Sequence, residues 1–188
     1  MSDKKNHKSK LSQLILELKS DSQAKVIAAI NEISNSGEPE VIPELILVLK
    51  HNNDSSVQKL IKDLLADINR SDAVEVFINE LKKEAKAADL KKLLEILWNS
   101  KLDFSAYLAD IVEIGIEGDY LIALDCLTII ENMVGPFSES QLLESQLHLK
   151  EFAEQAQNSD ERKNQIISEI AIFVKDQNEG IDADLLLD

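Results

Sequence analysis

One apolar pattern occurs twice in the first half of the chain, as QAKVIAAINEI at residues 23–33 and as QKLIKDLLADI at residues 58–68. At an offset of 35 residues the apolar positions of the two stretches coincide, in the pairs Val26/Ile61, Ile30/Leu65 and Ile33/Ile68. Apolar residues three or four positions apart lie on one face of an α-helix, which can then be buried. Each stretch is therefore predicted to be an amphipathic helix of a repeated unit.

The segments that follow these two stretches also match, with PELI at residues 43–46 and EVFI at residues 75–78. Here the offset is 32 residues, and the matching pairs are Leu45/Phe77, Ile46/Ile78 and Leu49/Leu81. Two further pairs of helical segments, 88–117 and 119–157, continue the alternation with weaker internal similarity. A repeat of roughly 30 to 40 residues, with one helical hairpin in each, is typical of an α-solenoid.

Helical periodicity extends over nearly the whole chain and predicts ten helices joined by short connections, which favour antiparallel neighbours. Residues such as Asp54 and Asp119 stand just before apolar runs, where a side-chain oxygen can cap the first helical turn. Ser138, followed three residues later by Gln141, fits a capping box. The predicted helices are 9–19, 22–35, 39–51, 55–69, 72–86, 88–99, 104–117, 119–133, 138–157 and 160–176.

Residues 20–83 resemble the HEAT-repeat family of α-solenoids. The resemblance is carried by DSSVQ at 54–58, LLADI at 64–68, SDAV at 71–74 with the following Phe77-Ile78, and SGEPEVIPELI at 36–46. It implies an all-α superhelix of about five stacked helical hairpins. The family often has arginine where Gln23 and Gln58 stand, so the Asp–Arg ladder that links successive repeats is expected to be absent.

The composition narrows the class of function. The chain has 188 residues, and 20 Lys and Arg against 35 Asp and Glu give a net charge of −15. Such a charge repels phosphate backbones and anionic lipid headgroups, so direct nucleic-acid or membrane binding is not expected. The single cysteine, Cys126, lies in a helical segment and allows no intramolecular disulfide. This favours a reducing compartment, and with no apolar leader at the N-terminus the prediction is a cytoplasmic protein.

Three segments are predicted along the chain. Residues 1–8 are a disordered polar arm that carries Lys4, Lys5 and Lys8. Residues 9–176 form a single HEAT-like α-solenoid domain. Residues 177–188 form an acidic C-terminal tail whose three consecutive leucines could cap the last hairpin or dock a partner, and capping is favoured because terminal repeats must cover exposed core.

No residue constellation indicates catalysis, a cofactor or a metal. The histidines, His7, His51 and His148, are scattered, whereas a zinc site needs three or four converging ligands. The five glycines stand singly, so there is no phosphate loop, and no serine lies in a nucleophile-elbow pattern. We therefore expect no enzyme activity, no cofactor and no metal.

Binding is expected to depend on charge and on the concave side of the stack. Between residues 103 and 161 there are thirteen carboxylates, against one lysine, Lys150. This stretch is either a docking face for a basic partner or an ordinary solvated surface. Trp98, Phe104, Tyr107 and Tyr120 are either a binding hot spot or core packing, and packing is favoured.

The HEAT resemblance implies that the second helices of the hairpins, 39–51, 72–86, 104–117 and 138–157, line the concave groove. Repeat proteins use such surfaces for recognition. The candidate partner-binding residues are the polar positions off the apolar stripes of these helices, namely Glu44, Asn79, Lys83, Asp110, Glu113 and Gln146.

The sequence leaves three functions open. The favoured one is a non-catalytic protein–protein interaction module or adaptor that binds another protein with a basic surface. The second is a HEAT-like enzyme or nucleic-acid-related factor, which would need a basic groove or a buried nucleophile. The third is an acidic mimic that blocks a basic nucleic-acid-binding protein. Tight nucleic-acid binding would favour the second function. Competition between the chain and DNA for one partner would favour the third function over the first.

Overall fold

A computed structural model describes residues 2–34, 39–84, 87–155 and 160–185, with side chains described between residues 9 and 178. These ranges are α-helical, with two short 3-10 turns at Pro39–Val41 and Ser105–Tyr107, and contain no β-strand. The helices are α1 (Ser2–Leu18), α2 (Gln23–Ser34), α3 (Ile42–His51), α4 (Ser55–Ala66), α5 (Ala73–Lys82), α6 (Ala87–Asn99), α7 (Leu108–Glu117), α8 (Tyr120–Glu131), α9 (Glu139–Gln155) and α10 (Glu161–Leu185).

The all-α class is confirmed, and each of the ten predicted helices has its counterpart in these ranges. The main differences are at the two ends of the chain. Helix α1 begins at Ser2, within the segment predicted as a polar arm, and α10 continues to Leu185, within the predicted acidic tail. Neither extension contains a proline, and proline is the residue most unfavourable in a helix interior.

The twelve apolar positions paired by the repeat are all buried, which confirms that the repeated pattern marks the packed faces of helices. Ile61, Leu65 and Leu49, for example, have no exposed surface. Burying a leucine or isoleucine side chain removes apolar surface from water and stabilises the fold by about 1.5–3 kcal/mol. The paired positions of the repeat are therefore core positions of the fold.

The first of two compact units comprises Met1–Glu80 with Asn99–Leu102. In its described part, α1 packs on α2 and α3 packs on α4, so that consecutive helices form pairs. The two pairs contact each other through α1 with α3 and through α2 with α4. Alternate helices of this unit are thus neighbours.

A hydrogen bond from Gln23 joins α2 to the cap residue of α4 in this unit. Asp54 caps α4, since its Oδ1 accepts from the backbone N–H groups of Ser56 and Val57. Its other oxygen accepts from Gln23 Nε2 at 2.7 Å, which joins the first turn of α2 to the first turn of α4. The partner of Asp54 on α2 is therefore a neutral glutamine, at a position where the HEAT family often has arginine.

The second unit comprises Leu81–Trp98 with Asp103–Asp188, and its helices α7 to α10 follow the same packing rule. The most extensive contacts between consecutive helices are α7 with α8 and α9 with α10, and the two pairs meet through α7 with α9 and α8 with α10. This pairing is one helix out of phase with the segments 88–117 and 119–157 that the repeat groups together. The first unit differs in the same way, because the repeat predicts hairpins of α2 with α3 and of α4 with α5, whereas the most extensive contacts between its consecutive described helices are α1 with α2 and α3 with α4.

Gly118 ends α7, as its position after the apolar run predicts. Its φ of −72° needs no glycine, but a Cβ atom at this position would lie well inside the contact distance of the Ile122 side chain. The residue is therefore fixed by the close approach of α8. Asp119 follows immediately and caps α8 by accepting from the N–H groups of Leu121 and Ile122, each at 3.0 Å.

The capping box predicted at Ser138 is half right. Ser138 Oγ accepts from the Gln141 N–H at 3.3 Å, as expected of a cap for α9. The Gln141 side chain does not return to Ser138, because its Oε1 accepts from Ala109 N at 2.9 Å. Gln141 thus supplies a partner to a free N–H in the first turn of α7, and connects α9 to that helix.

Candidate functional site

The second unit contains a cleft of about 540 Å³, which lies within the size range of ligand-binding pockets. It is formed where the end of α5, the start of α6 and the turn between α7 and α8 meet. The residues that line it are Leu81, Lys82, Glu84, Ala87, Leu90, Glu113, Ile114, Glu117, Gly118, Asp119 and Ile122. Among these described residues, four carboxylates face one lysine, and this part of the lining is strongly acidic.

Lys82, the lysine among the described lining residues, is already paired. Lys82, at the end of α5, forms an ion pair with Asp110 in the first turn of α7. The hydrogen bond that Lys82 donates to Asp110, together with the negative charges of Asp110, Glu113 and Glu144, raises the pKa of Lys82 above its usual value. Carboxylates of both α7 and α9 therefore create a field that favours a positive charge at this place.

A second ion pair involves Asp119, at another part of the cleft lining. Lys91 Nζ on α6 lies 2.8 Å from Asp119 Oδ2, so this carboxylate caps α8 and also binds α6. The hydrogen bond from Lys91, and then the backbone N–H of Ile122, hold the pKa of Asp119 below its usual value. Burial raises the pKa of the neighbouring Asp125, and the nearby charges of Glu95 and Asp119 add to that rise while Lys91 opposes it.

Glu113 and Glu117 are one helical turn apart on α7. Neither forms an ion pair with a lysine or arginine side chain among the residues that the structure describes. Glu113 is half-buried and Glu117 is exposed. Residues four positions apart on a helix have Cβ atoms about 5–6 Å apart, so both carboxylates can reach one cation. They are the acidic groups of the cleft best placed to bind an external positive charge.

Apolar side chains form the floor between these charges. Leu81 and Ile122 are almost fully buried and belong to the packed core. Leu90 and Ile114 are half-buried, and Ala87 is exposed. The cleft thus offers apolar surface at its base and carboxylates around it, which suits a ligand that has an apolar part and a positive charge.

The six predicted partner-binding residues fall into separate groups. Glu44 and Asn79 belong to the first unit, where Glu44 Oε2 lies 2.9 Å from Lys19 Nζ and Asn79 is exposed. In the second unit, Glu113 lines the cleft and Asp110 holds Lys82 beside it. Lys83 is exposed and Gln146 is half-buried, and neither lines the cleft.

The six predicted binding residues do not include Lys82, Lys91, Glu84, Glu117 or Asp119. Glu117 and Asp119 belong only to the thirteen carboxylates of the possible docking face. A usable signal exists in the spacing, because Lys82 precedes Asp110 and Lys91 precedes Asp119 by the same 28 residues. The two pairs join different helices, since Lys82 connects α5 to α7 and Lys91 connects α6 to the cap residue of α8. The apolar repeat alone could not reveal them.

The thirteen carboxylates between residues 103 and 161 are all at least partly accessible, and none of them is buried. The aromatic side chains of the same region do not form one surface. Phe104 is buried, Trp98 is 38% exposed, and Tyr120 lies beneath the guanidinium of Arg162 at 4.9 Å. The expected packing role therefore holds for Phe104, while Tyr120 helps to attach α10.

The described residues hold no cluster of three or more His, Cys, Asp or Glu that could bind a metal ion. Cys126 is fully buried, and burial raises the pKa of its thiol far above the usual range, so it is a core residue rather than a nucleophile. Across the described ranges, no helix combines the length and the apolar character needed to cross a membrane.

Comparison with protein-family models, with curated proteins and with solved structures yields no match for this chain. The geometry of the cleft and the packing of the helices are therefore the basis for a functional proposal.

Proposed function

We propose that the chain is a non-catalytic, HEAT-like interaction module that binds another protein with a basic surface through the acidic surface of its second unit. A cytoplasmic setting, which the single buried thiol favours, is part of this proposal.

The packing rule within each unit supports the HEAT-like part of the proposal. In each unit, two pairs of consecutive helices stack through contacts between alternate helices. This is how neighbouring hairpins pack in an α-solenoid, where each repeat contacts the next. The hydrogen bond from Gln23 to the cap residue Asp54 adds a polar contact between two alternate helices.

The observation that carries the binding part is the composition of the cleft. In the described part of its lining, four carboxylates stand against one lysine, Lys82, which is already paired with Asp110. An excess of negative charge beside accessible apolar surface attracts a partner of opposite charge. A basic protein surface fits these requirements better than a nucleic acid, whose phosphates the same charges repel.

Affinity capture from native extract at low and at moderate salt, followed by mass spectrometry, tests this function. We expect a basic protein to be retained at low salt and released as salt rises, because screening weakens attraction between exposed charges. An unrelated protein of similar size and net charge is the control bait. The retained protein must then bind the purified chain in isothermal titration calorimetry. The proposal fails if both baits retain the same proteins or if no retained protein binds directly.

A competition assay separates an adaptor from an acidic mimic. If the retained partner binds DNA, and if the chain displaces that DNA, the carboxylate surface acts in place of phosphates. If the partner binds DNA and the chain together, the adaptor function is supported.

A further inference from the structure

The cleft between α6, α7 and the α7–α8 turn combines an apolar floor with an acidic rim, and this combination indicates what enters it. We propose that the cleft receives the arginine or lysine side chain of a basic segment of the partner protein. The aliphatic stem would lie on Leu90 and Ile114, and the charged end would bind Glu113 and Glu117. This inference rests on the proposed function and deepens it, because it names the part of the partner that is recognised.

The floor matches the stem of such a side chain. Leu90 and Ile114 are half-buried, so part of their apolar surface faces the open cleft. Arginine and lysine have three or four methylene groups that pack on apolar surface while the charged end stays in a polar environment. A purely apolar side chain would match only the floor. An acidic side chain would be repelled by the carboxylates of the rim.

The rim matches the charged end. Glu113 and Glu117 project from successive turns of α7, and neither has an ion pair with a basic side chain of the described residues. The other carboxylates at the rim differ, since Asp119 is held by Lys91 and by the first turn of α8. Two carboxylates within reach of one guanidinium can accept from its several N–H donors.

Lys82 shows that this environment stabilises a cation. Its ammonium group lies at the edge of the same cleft, where it is paired with Asp110 and feels the charges of Glu113 and Glu144. Asp110 is taken up by this contact, whereas Glu113 acts on Lys82 only at longer range. The cleft therefore already binds the ammonium group of Lys82, and the carboxylates of Glu113 and Glu117 can bind a second positive charge.

Methyl NMR of the full chain tests the inference. The methyl groups of Leu90 and Ile114 are observed while a blocked pentapeptide, with arginine between two leucines, is titrated. The same peptide with citrulline, the neutral isostere of arginine, is the control ligand. We expect saturable shifts at both residues with the arginine peptide, and binding weaker by roughly tenfold with citrulline, since a hydrogen bond to a charged group contributes about 1.5–3 kcal/mol.

Two pairs of variants locate the charge. Glu113→Gln with Glu117→Gln removes the rim carboxylates, and Glu151→Gln with Glu154→Gln removes two exposed carboxylates of α9 that do not line the cleft. Both pairs change the net charge equally. We expect roughly tenfold weaker arginine-peptide binding for the first pair and little change for the second, with unchanged thermal unfolding for both.

Three results would overturn the inference: equal binding of the arginine and citrulline peptides, equal loss for the two variant pairs, or no shift at Leu90 and Ile114. Salt-sensitive capture of a basic protein together with a silent cleft would refute this site and leave the proposed function standing. If capture fails as well, both are wrong.

Discussion

Gly118 shows how a single residue determines the packing of two helices. Its place after an apolar run predicts a helix end, but the structural reason is the absence of a Cβ atom beside Ile122. The glycine allows α8 to begin directly against α7. It thereby shapes one wall of the cleft, since Gly118 and Ile122 both line it.

We predict that Gly118→Ala lowers the free energy of unfolding by about 1–3 kcal/mol, the usual cost of forcing extra atoms into a packed region. Chemical denaturation monitored by circular dichroism measures the change. Gly115→Ala is the matched control in the same helix, where an added Cβ would lie 3.2 Å from Cys126 Cβ and alanine favours the helix. A loss at Gly118 no greater than at Gly115 would contradict the close-approach argument.

Asp54 couples helix capping to pH. Its pKa is lowered from the ordinary value of 3.8, first by the hydroxyl of Ser56 and then by the N–H of Val57. A carboxylate with a lowered pKa stabilises the fold fully above its unfolded pKa, and this stabilisation is lost as pH falls through the folded pKa. Asp54 is therefore one source of acid sensitivity in the first unit.

We predict that Asp54→Asn reduces the loss of stability between about pH 5 and pH 2, because asparagine can cap a helix but does not titrate in this range. Thermal unfolding of wild type and variant at matched pH values measures the slope. Lys59 pairs with Asp63 on the exposed face of α4, so Asp63→Asn is the control for removing a carboxylate nearby. Parallel stability curves for wild type and Asp54→Asn would rule out this role.

Helix α10 has a modest apolar content, and specific contacts with other helices hold it in place. Ile170 and Val174 are fully buried, and Lys163 Nζ donates to the carbonyl of Ile116 in the last turn of α7 at 2.5 Å. The same ammonium lies 5.4 Å from the centre of the Phe152 ring on α9. A cation near a helix C-terminus is favourable because the last carbonyls are partly negative.

We predict that Lys163→Met destabilises the protein by about 0.5–1.5 kcal/mol, through loss of the carbonyl hydrogen bond and the charge at the end of α7. Lys150→Met makes the same change of charge at an exposed position of α9 and should have little effect. Urea unfolding of both variants gives the comparison. Equal effects would mean that Lys163 acts only through total charge.

The helices were predictable because each buries an apolar stripe that repeats every three or four residues. The pairing of the helices was harder to predict. The repeat predicts that residues 88–117 form one hairpin, whereas α7 packs most extensively on α8 and α9. Gln141 illustrates the reason: its position fits a capping box, but tertiary structure brings Ala109 N within reach. Local sequence fixes which residues can accept a hydrogen bond, whereas the fold decides which donor they meet.

At the scale of the whole molecule, the acidic balance could be predicted and the location of the cleft could not. Asp110 and Glu113 were identified because they lie off the apolar stripe of α7, and the structure brings both to the cleft or its edge. Lys82 and Lys91 were missed because their partners are 28 residues away. The division after Glu80 has no linker composition that would mark it.

The central claim is that the cleft, and not the total charge, binds the basic partner. The most direct test is the Kd of the basic protein retained in capture, measured at one ionic strength for wild type and two charge-reversed variants. Glu113→Lys with Glu117→Lys reverses the rim, and Glu151→Lys with Glu154→Lys makes the same change of charge on α9. We predict a Kd at least about tenfold higher for the rim variant, and a change of no more than about threefold for the other. Equal weakening of binding by the two variants would contradict the claim.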